Sequence, residues 1–304
     1  MNPYDINPQN EQPVAPESSD ADRITSQSID QARGDLPPAA NAQPVPPSRF
    51  VPEDLRAPWG WLDLLIFALL GITVAVLLLI VMTGVFVLLG HRVSELQASP
   101  RVAGLFGIFY EILLVLFLFG GLALYVRVRF QLPFWRTLGW CPLEAERFPK
   151  PLVYLGYISA GFLLAVFAQV VSTYVKPNVN IPMEKLFQDR LVASLLLLMS
   201  VLMAPVVEET FFRGFLYPVI ARSFGRGVGI IATGTLFGLL HGAQLGWTPL
   251  LVAALTVIGI VLTYVRAVKH TVLASFLLHI SYNGFISIAF LIGSHGLRML
   301  PHGS

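Results

Sequence analysis

The pattern of polar and apolar positions changes abruptly at Trp59. Beyond it, long apolar runs alternate with short polar links. A helix needs about 20 mostly apolar residues to cross a bilayer. By that measure seven runs qualify, at about 60–89, 102–126, 151–175, 190–211, 228–245, 249–266 and 271–293. They predict an all-α fold, a polytopic transmembrane helix bundle of about seven spans. Nothing before Pro218 would stop the fourth run, which is expected to continue as helix to about Arg222. The fifth and sixth runs are joined only by Gly246-Trp247-Thr248-Pro249, which predicts a tight helical hairpin. Trp59, Trp61, Trp135 and Trp140 stand at or just beyond run ends, where aromatic membrane anchors belong.

Residues 1 to about 57 follow another rule. Pro, Gln, Asn, Ala, Ser and Asp dominate, and Pro37-Pro38 and Pro44-Val45-Pro46-Pro47 preclude a helix. Such a segment buries too little apolar surface to offset its ordering entropy, so it reads as a disordered Pro-rich tail. It lacks the basic start and apolar core of a cleavable signal peptide. The division expected is therefore a tail at 1–57, N-terminal transmembrane helices and loops at 58–189, and a chemically distinct group of helices at 190–294.

Composition agrees with the pattern. Of 304 residues, 55% are hydrophobic and 12% charged, against about 25% charged in soluble domains. A formal net charge of +2 gives no case for nucleic-acid binding. Cys141 is the one cysteine, which excludes an intrachain disulfide and a thiolate metal cluster. Cations mark alternate links: Arg127, Arg129, Arg136, Arg147 and Lys150 after the second run, Arg222 and Arg226 after the fourth, Arg266 and Lys269 after the sixth. The positive-inside rule then places the N-terminus in the cytoplasm, in a multi-pass protein of the plasma (inner) membrane, with the C-terminus outside if all seven runs span.

Against this apolar background the stretch Ala204-Pro205-Val206-Val207-Glu208-Glu209-Thr210-Phe211-Phe212-Arg213 is anomalous. An ionisable side chain at bilayer depth costs at least about 2.5–3.5 kcal/mol and reads as functional by default. On a helix Glu209 and Arg213 stand four apart and can pair, whereas Glu208 is rotated by about 100° and faces another neighbour. One structural glutamate neutralised by arginine and one working glutamate is the economical assignment. Pro205, one turn earlier, opens the backbone ladder just before the acids. In the fifth run Gly234, Gly238 and Gly242 recur every four residues and let a helix approach closely, with Phe237 and His241 on a neighbouring face. In the seventh, His279 and Asn283 form another pair four apart. These polar groups lie some 9–15 residues from a cation of the basic links, roughly 13–22 Å at helical rise. Two glutamates, two histidines and an asparagine are thus expected to line one wet cavity.

Glu-Glu-x-x-x-Arg at 208–213, Phe-x-x-x-His at 237–241 and His-x-x-x-Asn at 279–283, in that order on three helices, resemble the CPBP family of CAAX proteases and bacteriocin-processing enzymes, also called the Abi family. The resemblance covers about residues 190–293. It implies an intramembrane endopeptidase in which Glu208 with His241 activates a water, His279 and Asn283 stabilise the oxyanion, and Glu209, Arg213 and Phe237 support the site. It also implies a membrane-associated protein or peptide as substrate.

The residues themselves support that chemistry, since amide hydrolysis needs a base for water and donors aimed at the developing negative charge. The motifs leave both a metal-free and a metal-dependent hydrolase open. A divalent metal such as zinc is chemically compatible with Glu208, His241 and His279, although the short His-Glu-x-x-His signature is absent. Two readings from other classes stay open. Buried Glu, His and Arg also serve proton- or ion-coupled transporters, although no internal repeat is evident. A non-catalytic relative that binds a partner would not need Glu208. Taken singly, Glu209–Arg213 reads as an ion pair of the bundle, each histidine as a hydrogen-bonded core residue, and Asn283 as interhelical glue. Glu111, mid-run with no motif around it, reads as structural or cavity-lining.

Overall fold

The computed structural model describes residues 53–143, 149–175 and 181–299. The expected disorder of the tail falls mostly on residues 1–52, outside the described residues. All regular structure among the described residues is helical. Six stretches are long and apolar enough to cross a membrane. They are α1 (Trp61–Leu88), α2 (Pro100–Tyr125, continued by a π-helical turn Val126–Phe130), α3 (Lys150–Ser172), a composite rod from Arg190 to Phe224, α8 (Pro249–Lys269) and α9 (Val272–Gly293). The composite rod comprises α4 (Arg190–Leu202), α5 (Ala204–Glu208), a π-helical segment (Glu209–Leu216) and α6 (Tyr217–Phe224). It reaches slightly past the expected end near Arg222.

The fifth apolar run forms only a 15-residue helix, α7 (Arg226–Leu240). At helical rise this is about 22 Å, against a hydrocarbon core of about 30 Å. The seven-span expectation is corrected to six full-length helices and one short one. The turns at 241–247 extend α7 to the end of the bundle where Gln244 O accepts the Met183 N–H.

Outward faces show why this chain folds in lipid. α1 presents Leu62, Leu65, Ile66, Leu69, Leu70 and Ile72 to the surroundings and buries only Asp63, Phe67 and Met82. Polar groups turn inward instead. Asp63 accepts the Gly60 N–H at 2.7 Å, capping α1, and also receives the Tyr125 hydroxyl and, at 3.2 Å, the Arg129 guanidinium. One carboxylate thereby ties the start of α1 to the end of α2.

α7 and α8 form the expected hairpin, and its closeness depends on glycine. A Cβ on Gly238 would stand 2.7 Å from Thr256 N, and one on Gly259 would stand 2.7 Å from Gly234 O. α9 packs between α3, α8 and α4 and also touches α5 and the π-helical segment. It carries the centre of the bundle.

Two sequence expectations change here. Trp59 is not an interfacial anchor: it is 1% exposed, its Nε1 donates to Phe215 O at 2.8 Å, and its ring packs on Phe215. Residues 53–57, at the end of the expected tail, are held in place. Glu53–Leu55 form a 3₁₀ turn, Asp54 meets Arg226 at 3.1 Å, His270 at 3.2 Å and the buried Arg266 at 3.5 Å, and Arg222 donates to Ala57 O and Trp59 O. Composition read this stretch as tail because its partners lie more than 150 residues away.

Candidate functional site

The rod from Arg190 to Phe224 is irregular where its charges lie. Pro205 has no N–H to give the preceding turn, and α4 stops at Leu202. Thr210 Oγ1 donates to Val206 O at 2.6 Å and accepts the Trp140 indole N–H at 3.1 Å. From Glu209 to Leu216 the backbone is π-helical, a form that recurs at functional sites because it redirects side chains.

Glu209 and Arg213 are both wholly buried and pair at 2.9 Å. The guanidinium is satisfied on its other sides as well. Its Nη2 donates to Gly259 O at 2.8 Å and its Nε to Thr263 Oγ1 at 3.2 Å, while the Phe237 ring lies 4.7 Å from Cζ. Burying an ion pair carries a desolvation penalty that only further hydrogen bonds repay, and α8 supplies them. The pair therefore fixes the π-helical segment onto α8.

Glu209 Oε1 takes a second contact, 2.9 Å from His279 Nδ1. An ionised carboxylate only accepts, so Nδ1 carries the proton and donates. That orients the ring and turns Nε2 toward Glu208 Oε2, 3.7 Å away. His241 reaches the same carboxylate from the other side. It caps the C-terminus of α7, where carbonyls lack helical donors, and its Nδ1 donates to Phe237 O at 2.7 Å. Its Nε2 is thereby directed to Glu208 Oε1 at 3.6 Å. The Glu208 side chain is 22% exposed, so it is reachable where Glu209 is not.

Phe237 forms the wall behind this cluster. Its ring centroid is 4.6 Å from that of His241, 5.9 Å from His279 and 5.1 Å from Phe212. Asn283, one turn beyond His279 on α9, donates one Nδ2 hydrogen to Ser200 O at 2.7 Å. Its second amide hydrogen has no protein acceptor among the described residues.

The structure thus gathers Glu208, Glu209, Arg213, Phe237, His241 and His279 into one contact network, with Asn283 beside it. One geometric detail differs from expectation: His241 lies just past the end of its helix rather than within it. Glu111 stands on the exposed side of α2, near enough to Glu208 for the two carboxylates to repel. Residues that motif reading missed are Thr263 and Gly259, which complete the Arg213 shell, Ser200, which holds Asn283, and Tyr282, whose ring stands 6.4 Å from His279. Their contributions are a hydroxyl, carbonyls and a ring contact, which leave no motif in sequence.

For metal binding, the donor types Glu208, His241 and His279 suit zinc. The arrangement does not: among the described residues no group of three or more His, Cys, Asp or Glu side chains is placed to hold a metal ion.

Comparison with curated proteins and with solved structures gives no match. Residues 190–285, the stretch that builds the whole cluster, match the family described as Type II CAAX prenyl endopeptidase Rce1-like. This part of the chain is therefore similar to the CAAX-protease, or CPBP, family.

Proposed function

We propose that this protein is an intramembrane endopeptidase that hydrolyses a peptide bond with a water activated by Glu208. The observation that carries the reading is the double approach to one carboxylate. The Nε2 atoms of His241 and His279 face opposite oxygens of Glu208 at 3.6 and 3.7 Å. These separations exceed a direct hydrogen bond and suit groups that share a water or tighten around substrate. The match of residues 190–285 to a family of prenyl endopeptidases supports the same reading.

In this mechanism Glu208 takes a proton from water as its oxygen attacks the scissile carbonyl carbon, with His241 Nε2 holding the water in line. The carbonyl π pair moves to oxygen. The second amide hydrogen of Asn283 and a protonated Nε2 of His279 stabilise that oxyanion. The doubly protonated His279 is supported by Glu209, whose charge faces its Nδ1. When the oxyanion collapses, the C–N bond breaks and Glu208 returns its proton to the leaving amine. Arg213 keeps Glu209 ionised and fixed.

The helices of 190–294 act as the catalytic part and those of 58–189 as its framework. The substrate is a membrane-associated protein or peptide. Removal of a C-terminal tripeptide from a prenylated protein is the activity that the family's description suggests. Arg127, Arg129, Arg136, Arg222, Arg226, Arg266 and Lys269 lie in the last turns of α6 and α8 or just beyond α2 and α6, and this bias supports a cytoplasmic location for that end of the bundle, with the start of α1.

The test compares wild type with Glu208→Gln in detergent on a quenched peptide library, with and without a chelator. Cleavage by wild type that survives the chelator and is lost in the variant supports a glutamate-activated water. Loss on chelation turns the same residues into a metal hydrolase. Cleavage retained by Glu208→Gln sinks the assignment.

A further inference from the structure

Between α1 and α2 lies a groove of about 620 Å³ whose lining includes no residue of the Glu208 cluster. Phe67 and Leu70 of α1 and Gly121 and Leu124 of α2 give it apolar walls, and Asp63 and Arg129 close one end. From Asp63 to Leu70 it runs about 10 Å along α1 at helical rise. Glycine keeps the deep end open, since a Cβ on Gly121 would meet nothing within 4 Å. At the polar end Arg129 Nε meets Asp63 Oδ1 at 3.2 Å, and the arginine side chain is 56% exposed. Its two Nη groups have no protein partner among the described residues. The groove therefore joins an open guanidinium fork at the membrane surface to an apolar channel that enters the bilayer.

We infer that this groove binds one glycerophospholipid, with its phosphate on Arg129 and an acyl chain between Phe67 and Gly121. Charge and shape together select this occupant. A guanidinium fork matches phosphate oxygens in pairs, and basic pockets between spanning helices at the membrane surface take lipid headgroups. Arg127 and Arg136 lie in the same link and add positive charge. Asp63 offsets it only in part, because its carboxylate is already committed to the Gly60 N–H and the Tyr125 hydroxyl. An uncharged apolar chain would fill the walls and leave the Arg129 fork unused. Phe67, the floor of the groove, is 8% exposed and packs its ring 5.6 Å from Phe211 and 5.5 Å from Phe215. Both partners belong to the π-helical segment that carries Glu209 and Arg213. A bound acyl chain thus braces that segment from behind. Lipid binding here does not depend on whether the chain hydrolyses peptides.

The test uses native mass spectrometry on the full chain, stripped of lipid in detergent. The probes are dioleoylphosphatidylglycerol and, as the same chains without phosphate, dioleoylglycerol. One phosphatidylglycerol should bind ahead of all others, about tenfold more tightly than dioleoylglycerol, as charge-assisted hydrogen bonds to the phosphate require. Arg129→Gln should erase that difference. Gly121→Leu, which fills the groove without touching the Asp63 pair, should weaken the first phosphatidylglycerol about tenfold, and it carries the test alone if Arg129→Gln fails to fold. Gly120→Leu is the control: that position is also open but does not line the groove, so it should bind like wild type. No distinct first site, equal binding of the two lipids, or equal loss in both glycine variants would each overturn the proposal. So would a farnesylated peptide that takes the site more tightly than phosphatidylglycerol, or a dimer that Gly121→Leu dissolves.

Discussion

Glu209 and His279 are in contact through a single oxygen, Oε1, at 2.9 Å, and that same oxygen is 2.9 Å from Arg213. The buried carboxylate therefore has two cationic or donor partners, one of which anchors it and one of which it aims. Among the described residues Glu209 Oε2 has no hydrogen-bond partner. The pattern separates the roles of adjacent glutamates: Glu209 is committed to the protein, and Glu208 is left to face His241 and His279.

Breaking the anchor should cost stability and chemistry together. Arg213→Met leaves Glu209 wholly buried with no counter-ion, and removing one partner of a buried pair typically costs about 3–5 kcal/mol. Thermal unfolding in detergent should show a large drop for Arg213→Met and for Glu209→Leu. The double variant should recover much of it, because no lone charge remains, yet stay inactive because His279 is no longer oriented. Independent, additive losses in the double variant would contradict the coupling.

Much of this was legible in the sequence because each critical pair is local. Glu209–Arg213, Phe237–His241 and His279–Asn283 are all four residues apart, so helical geometry alone placed them on shared faces. The apolar runs were equally plain, since lipid-facing helices such as α1 are apolar all round. What stayed hidden depends on distant partners or on backbone form. Trp59 reads as an anchor until Phe215 O appears beside its indole. Residues 53–57 read as tail until Arg226, Arg266 and His270 close on Asp54. The shortness of α7 was concealed by Ala243 and Leu245, which extend its apolar run into turns where no helix forms.

The hairpin of α7 and α8 should be intolerant of a single methyl group. At Gly238 an added Cβ would stand 2.7 Å from Thr256 N and 2.8 Å from Thr256 Cα, both backbone atoms that cannot swing aside. Overpacking of this kind costs about 1–3 kcal/mol. Gly238→Ala should lower the unfolding temperature and reduce cleavage, because the helix it displaces leads directly into His241. Gly227→Ala is the control: nothing stands within 4 Å of that position, so its stability should be unchanged or slightly raised.

Acid should loosen the start of α4 first. Burial raises the Asp189 carboxyl, but the Val192 and Leu191 N–H groups and the Arg101 guanidinium at 2.9 Å together outweigh it and hold the group below the ordinary carboxylate range. A carboxylate depressed in the folded state contributes stability that is present above its unfolded value and lost as pH falls through the folded one. Stability should therefore decline below about pH 4, the unfolded carboxylate value. Asp189→Asn keeps a capping oxygen and should flatten that decline, whereas Asp189→Ala should cost about 0.5–2 kcal/mol at neutral pH as a lost N-cap. An identical acid profile in wild type and Asp189→Asn would refute the assignment.

The last prediction concerns how His241 is held. Its Nδ1 hydrogen is committed to Phe237 O at 2.7 Å, which leaves Nε2 as the atom that meets Glu208. Removing the imidazole in His241→Ala should lower the cleavage rate by about 10²–10⁴, the usual contribution of a positioned acid–base group, with little change in unfolding temperature because the residue lies past the helix end. His241→Asn should retain the cap, since its amide can also donate to a nearby carbonyl, but not the activity, since its side chain is shorter and does not reach the water beside Glu208. The contrast with Arg213→Met is the informative one: there stability and rate should fall together, here rate alone. Added imidazole should restore part of the activity to His241→Ala by entering the space left beside Phe237, and none to Glu208→Gln. Rescue of both variants, or of neither alongside a collapse in stability, would show that His241 acts as a packing residue and not on the water.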